Sequence, residues 1–220
     1  GDLEVYLSSL RGAGIPYVVE RDRNYYRRRE VIEAAALIRA IVDPCDDLAF
    51  LTFLRSALVG VPDAALLPMW ERGIPGLISK LDGENQEVLD LVFRQLDQAI
   101  DEIPEGIPGI ERIDGWVLNF RLAIRNLNEL RRSFLVEPAD LFIDRVRGFF
   151  LPELTEGARY LGAYRVANIE RFFRECSNAL EESGSDIDAL LDALRRNVRE
   201  SREAEEAKPG DAAKDAVQIM

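Results

Sequence analysis

The residues best suited to chemistry form a run of arginines around two tyrosines. Arg21, Arg23, Arg27, Arg28 and Arg29 surround Tyr25 and Tyr26, with Asp22 the one acid inside the run. Guanidinium groups interleaved with aromatic rings suit a nucleic-acid backbone, whose phosphates cations neutralise. The competing reading is that these arginines pair with carboxylates elsewhere and form a solvated face. The net charge of −12, from 28 basic and 40 acidic residues, argues against a general nucleic-acid binder. Exposed charges are screened beyond about 8 Å at physiological salt, so a local basic cluster keeps its own field.

Catalytic chemistry has few carriers. The chain has no histidine, which excludes Ser-His-Asp triads, imidazole-built zinc sites and imidazole bases. Its only lysines, Lys80, Lys208 and Lys214, follow Ser79, Ala207 and Ala213. None completes the Gly-x-x-x-x-Gly-Lys-Ser/Thr loop that cradles nucleotide phosphates. The carboxylate pairs Asp46/Asp47, Glu181/Glu182 and Glu205/Glu206 read as helix caps or solvated faces. Cys45 and Cys176 have no metal-ligand spacing and read as reduced core thiols. By itself this segment is predicted to be no enzyme and to hold no cofactor or metal.

The elements that position the basic cluster are helical. At 220 residues, 47% hydrophobic and 31% charged, the chain can bury one sizeable core, or one domain with appendages. It has neither a run of about 20 apolar residues nor a signal segment, so the expectation is no membrane partner and a cytoplasmic location. Val31, Ala34, Ala35, Ile38, Ile41 and Val42 recur at helical spacing. Asp43-Pro44 stops that helix, and Asp43, Asp46 or Asp47 can cap the next. The second helix is expected to bury Leu48, Leu51, Leu54 and Leu58, with Phe50 and Phe53 widening the face. Each such side chain contributes roughly 1.5–3 kcal/mol when fully buried.

Leu3, Val5, Tyr6, Leu7 and Leu10 suggest a first helix ended by Gly12 and Gly14, and Tyr17-Val18-Val19 a short strand. After Gly60-Val61-Pro62-Asp63, with Asp63 as the cap, Ala64 to Trp70 reads as a short helix, and Gly73 and Pro75-Gly76 as turns. Helices are predicted for Glu84 to Asp101, for Ile113 to Leu130 with Trp116 and Phe120 inward, and from Glu137-Pro138 to Phe149. Ile103 to Gly109 is a loop. Gly157 to Leu180 is the longest amphipathic segment, with Leu161, Ile169, Phe172, Phe173, Cys176 and Leu180 inward, and Ser185 caps a last helix through Val198. Lys208-Pro209-Gly210-Asp211 marks a linker. The tail Ala216 to Met220 returns to alternating apolar character and needs a strand partner, for which Tyr17 to Val19 is the candidate. No internal repeat is present.

The order of these residues resembles the UvrD/Rep-type superfamily 1 DNA helicases, especially the AddA-like helicase–nuclease branch. The matching elements are Ile15-Pro16-Tyr17, Tyr25-Tyr26, Arg28-Arg29-Glu30-Val31, Asp43 to Asp47, Leu54 to Leu58, and Gly60-Val61-Pro62-Asp63. Val217-Gln218-Ile219-Met220 is similar to the strand that runs into the family's Thr-Ile-His-Lys-Ala-Lys-Gly motif, and Ala167-Asn168-Ile169-Glu170 to its Ala-Asn-Leu helix. About Leu67 to Leu154 carries no matching motif. Two departures are visible: Arg21-Asp22 replaces a glycine pair after the strand, and Pro62 replaces the second glycine of a Gly-Ile-Gly turn. Proline supplies no N–H, so one potential phosphate donor is lost there.

The resemblance implies a mainly α, irregular multi-helix domain whose short terminal β segments belong to a split RecA-like α/β domain. Residues 1–27 would flank motor domain 2A, 28–200 would be a 2B-like helical insert, 201–214 a linker and 215–220 the returning strand. The lack of an initiator methionine and the end at Met220 fit an excised piece. ATP and Mg would belong to the parent, an ATP-dependent 3′–5′ helicase with or without exonuclease activity. The insert would position duplex or forked DNA, and regulate unwinding, through Arg27, Arg28, Arg29, Arg55, Gly60 and Val61. The alternative is a protein–protein docking module, with acidic helices at Glu181 to Glu206 holding a partner subunit.

Overall fold

A computed structural model describes residues 2–15, 17–19, 25–103, 115–183 and 217–219. Among them the protein is mainly α-helical. The order is α1 (Asp2–Gly12), β1 (Tyr17–Val19), a 3-10 turn (Tyr25–Arg27), α2 (Arg29–Val42), α3 (Asp47–Arg55), α4 (Asp63–Glu71), α5 (Ile74–Ile78), α6 (Gln86–Asp101), α7 (Trp116–Val136), α8 (Ala139–Phe150), α9 (Pro152–Gly157), α10 (Gly162–Ser183) and β2 (Val217–Ile219). The strands β1 and β2 pair in parallel, with Tyr17 opposite Val217, Val18 opposite Gln218 and Val19 opposite Ile219. The tail therefore pairs with the strand that the sequence offers as its candidate partner.

The chain forms two compact units, one of Gly1–Ala34 with Leu151–Met220 and one of Ala35–Phe150. The boundary at Leu151 falls inside the stretch 28–200 that the resemblance treats as one insert. In the first unit, Tyr25, Val31, Ile169, Phe172, Phe173 and Cys176 are buried, and Phe172 meets Phe173 edge-on at 5.5 Å. In the second, Ile38, Ile41, Leu54, Phe120, Ile124 and Leu127 are buried. Phe53 meets Phe150 edge-on at 5.3 Å, and Phe134 meets Phe142 at 5.1 Å.

Helix starts follow local chemistry. Asp46 caps α3 by accepting from the Ala49 N–H at 2.9 Å, and Asn85 caps α6 by accepting from Val88 N–H at 3.1 Å. Each satisfies an amide that has no partner within its helix. All six apolar residues named for α2 are buried.

Several expectations are corrected. The buried face of α3 is Ala49, Phe50, Phe53 and Leu54, while Leu48 is 68% exposed and Leu58 lies beyond the helix end. Apolar residues line this nine-residue helix on more than one side, so spacing alone does not choose the inward face. Asp63 is the first residue of α4, not its cap. Pro62 occupies the cap without a side-chain bond. Gly73 and Pro75 open the helix α5 instead of a run of turns: Gly73 adopts the left-handed conformation at the cap, and Pro75 fits the first turn. The helix through Phe120 runs to Val136. Val5 and Tyr6 of α1 face solvent, and Leu7 is buried.

The long segment from Gly157 is not one helix. Leu161 takes a positive φ of 61° in the turn between α9 and α10, and it is half-buried. The expected loop 104–109, the helix capped by Ser185, the linker 201–214 and the residues Arg21, Asp22 and Arg23 lie outside the described residues.

Candidate nucleic-acid interface

The 3-10 turn and the first turn of α2 present the arginine run. Tyr25 and Tyr26 are 0% and 9% exposed, so neither offers a face on which a base could stack. Their rings meet edge-on at 4.8 Å and anchor the turn from inside. Tyr25 donates its hydroxyl to the Asn168 carbonyl at 3.1 Å, and Tyr26 donates to Glu175 at 2.9 Å. The Arg171 guanidinium lies 4.3 Å from the centre of the Tyr25 ring while donating to Glu175 at 2.8 Å. Burial, then the charge of Glu175, pushes both phenols well above the usual tyrosine range.

With the tyrosines turned inward, the arginines that follow turn outward. Arg27 and Arg29 are exposed and Arg28 is half-buried. Arg29 donates from Nε to Glu33 one turn later at 2.5 Å, which, with the charge of Glu33, holds its guanidinium above the usual range. A cleft of about 250 Å³ opens beside them, lined by Arg27, Arg28, Arg29, Glu30, Leu161, Tyr164, Arg165 and Asn168. Its far wall is α10. All of it lies within the first unit.

The walls are tied together by buried polar bonds. Asn168, fully enclosed, donates from Nδ2 to Glu30 at 2.9 Å. Arg165 reaches Glu30 at 3.6 Å and Glu156 at 2.7 Å, and it donates from Nε to the Tyr160 carbonyl at 3.2 Å. Arg159 also pairs with Glu156, at 3.0 Å. A buried carboxylate without such partners would be strongly destabilising, so Glu30 and Glu156 fix where Arg165 sits. Sequence reasoning passed over Arg159 and Arg165. The available signal was Asn168, a polar residue beside the apolar stripe of α10.

The remaining candidates belong to the second unit. Arg55 forms a two-pronged ion pair with Asp63, Nε to Oδ1 at 2.7 Å and Nη2 to Oδ2 at 3.0 Å. Both side chains are solvent-exposed. Between them the chain turns at Gly60, whose φ of 75° lies in the left-handed region that glycine enters without a steric penalty. The turn spends its own donors: Gly60 N–H goes to the Ser56 carbonyl at 2.8 Å and Val61 N–H to the Leu54 carbonyl at 2.9 Å. The Val61 side chain is buried. With Pro62 lacking an N–H, residues 60–62 offer no spare backbone donor, which leaves Arg55 as the group able to meet an anion there.

Among the described residues no group of three or more His, Cys, Asp or Glu side chains is arranged to hold a metal ion, and no helix is long and apolar enough to cross a membrane. No family model matches the chain, and no curated protein matches it.

Proposed function

We propose that this chain is a non-catalytic accessory segment of an ATP-dependent DNA helicase or helicase–nuclease, resembling the 2B subdomain with flanking pieces of motor domain 2A, and that it positions duplex or forked DNA. The observation that carries the reading is the parallel pairing of Tyr17–Val19 with Val217–Ile219. Parallel strands need a crossover between them, and here nearly the whole chain serves as that crossover. This is the connectivity a helical insert in an α/β domain would have. The ordered matches from Ile15 to Asp63 and the chain's lack of any phosphate-cradling loop support the same reading, in which ATP and Mg are handled by parental domains.

The exposed guanidinium groups of Arg27, Arg29 and Arg55 supply the charge for a DNA backbone. The test is fluorescence anisotropy of a labelled duplex with the full chain across a salt series. With three phosphate contacts, affinity should fall about 40-fold between about 50 and 200 mM salt, since the log–log slope is about −0.9 per contact. Absence of binding at low salt would instead favour docking of a partner protein.

A further inference from the structure

We infer that the exposed face of α7 is a self-association seam, on which a second copy of this chain lays its own α7 in the opposite direction. The seam lies wholly within the second unit and needs no DNA-positioning role. Six residues form it: Leu118, Leu122, Arg125, Glu129, Arg132 and Val136, every one of them exposed. They follow one another in alternating steps of four and three residues, while Phe120, Ala123, Ile124, Leu127, Leu130 and Phe134 are buried on the other side of the helix. Alternation of four and three averages 3.5 residues, the repeat that keeps one stripe facing a second helix. Leu118 is 61% and Val136 72% exposed, and Leu135 flanks the stripe at 73%.

Charge decides which partner and which direction. The order of steps reads the same from either end, so a second α7 turned end for end about Leu127 stays in phase along the whole stripe. Leu118 then meets the second copy's Val136, Leu122 meets the stem of its Arg132, and Arg125 meets its Glu129. A parallel copy would instead set Arg125 on Arg125, Glu129 on Glu129 and Arg132 on Arg132, and like charges in contact are repulsive. The groups in the central pair have capacity to spare. Arg125 has no carboxylate partner among the described residues; its guanidinium lies 5.4 Å from the centre of the Phe93 ring. Glu129 accepts from Arg145 Nη1 at 3.3 Å through one oxygen, which leaves the other for a second cation.

Shape agrees with the charge. A groove of about 320 Å³ runs beside the C-terminal half of the stripe, lined by Glu129, Arg132, Ser133, Val136, Glu137 and Arg145. Its wall is braced, because Arg145 donates to Glu137 from Nη2 at 2.6 Å and from Nε at 3.0 Å. The N-terminal half of the stripe carries the projecting leucines and the C-terminal half carries the groove. In the reversed arrangement Leu118 and Leu122 of each copy enter the groove of the other, the self-complementary contact of a two-fold dimer. The 21 residues of α7 span roughly 31 Å. One helix face of that length sits at the small end of specific interfaces, which corresponds to a weak dimer with Kd on the order of 100 µM.

The experiment is sedimentation equilibrium of the full chain from about 10 µM to about 1 mM, a range that brackets the expected Kd. Arg125→Glu and Glu129→Arg should each weaken self-association about five- to thirtyfold, because one substitution turns both symmetry-related pairs repulsive. An equimolar mixture of the two variants should pair again, each supplying the charge the other lacks. Both positions are exposed, and circular dichroism checks that the variants stay folded. Cross-linking fixes the direction. Cys45 is exposed, so Cys45→Ser is the background. A chain with Leu118→Cys mixed with one carrying Val136→Cys should be joined by a short bismaleimide. Leu118→Cys alone should not, since the two copies of residue 118 would lie roughly 27 Å apart. A chain monomeric throughout would overturn the inference and leave the face to a helix of another protein. A dimer indifferent to both charge reversals, or one joined through residue 118 of each copy, would overturn it equally.

Discussion

Arg131 donates from Nη2 to the carbonyl of Ala40 at 3.0 Å, joining residues 91 apart in sequence. Its Nη1 donates to the carbonyls of Ile78 and Leu81. The side chain is only 6% exposed, and burial pulls its guanidinium down to about 10, against weaker upward effects of Cys45 and Asp43. Ala40 lies in the last turn of α2 and Ile78 ends α5, where carbonyls lack helical partners and the dipole is negative. A cation buried in an apolar unit is thus held by backbone oxygens.

Replacing a buried ion pair with apolar residues is often neutral, but backbone carbonyls cannot be substituted away. Arg131→Met should therefore cost about 2–6 kcal/mol in urea denaturation, because the Ala40 and Leu81 carbonyls lose their donor at about 1–3 kcal/mol each, while the Ile78 carbonyl keeps the Leu81 N–H at 3.1 Å. Arg131→Lys, with one ammonium for three acceptors, should lose roughly half as much. A methionine variant as stable as the parent would show that water reaches these carbonyls.

Ile38 is fully buried on α2. An aspartate there places an unpaired carboxylate in the core, at a cost of several kcal/mol, roughly 3–5. Ile38→Asp should abolish the cooperative melt of the second unit, read by circular dichroism. An unchanged transition would mean that the face of α2 assigned to the interior is wrong.

Arg55 and Asp63 are both exposed, so their pair contributes only about 0–1 kcal/mol. Asp63→Asn should leave stability nearly unchanged. If Arg55 meets DNA, the same change frees its charge and should tighten duplex binding about two- to fivefold at low salt, while Arg55→Ala weakens it. Equal duplex affinity in both variants would remove Arg55 from the interface.

Alkaline pH should unfold the first unit. Burial pushes the Cys176 thiol well above its ordinary value of 9.0, and Tyr25 and Tyr26 are raised above 10.0. In the unfolded chain these groups lose protons that the folded chain retains, so their stabilisation is whole below pH 9 and drains away above it. Each contributes a slope of up to about 1.4 kcal/mol per pH unit. Arg131, whose folded pKa is depressed, acts oppositely above about 10, but it belongs to the second unit. Thermal melts should be level from pH 7 to 8.5 and then fall. Cys176→Ala should remove the onset near pH 9 while leaving the steeper decline above pH 10.

How far the fold could be read ahead depended on how clearly each segment separated apolar from polar faces. The stripe from Val31 to Val42 has one apolar side, and all of it is buried. The helix α3 does not, and Leu48, which its spacing predicts inward, is exposed. Breaks were missed where a non-glycine residue takes the left-handed conformation, as Leu161 does, because nothing in a leucine announces it. At the candidate interface the basic run was legible, since charge sits in consecutive residues. The inward turn of Tyr25 and Tyr26 was not, because their partners Asn168 and Glu175 lie 143 and 149 residues away. Arg165 joins the cleft by the same long-range closure.

The three-residue parallel ladder has a consequence for how such a chain tolerates change. Joining two strands through a flexible tether costs conformational entropy that grows only logarithmically, about 0.6 kcal/mol for each doubling of tether length. A folded tether weakens even that dependence, because what matters is the gap between its two exits. Helices could be added to or trimmed from the excursion between Val19 and Val217 with little penalty to strand registry, provided those exits stay the same distance apart.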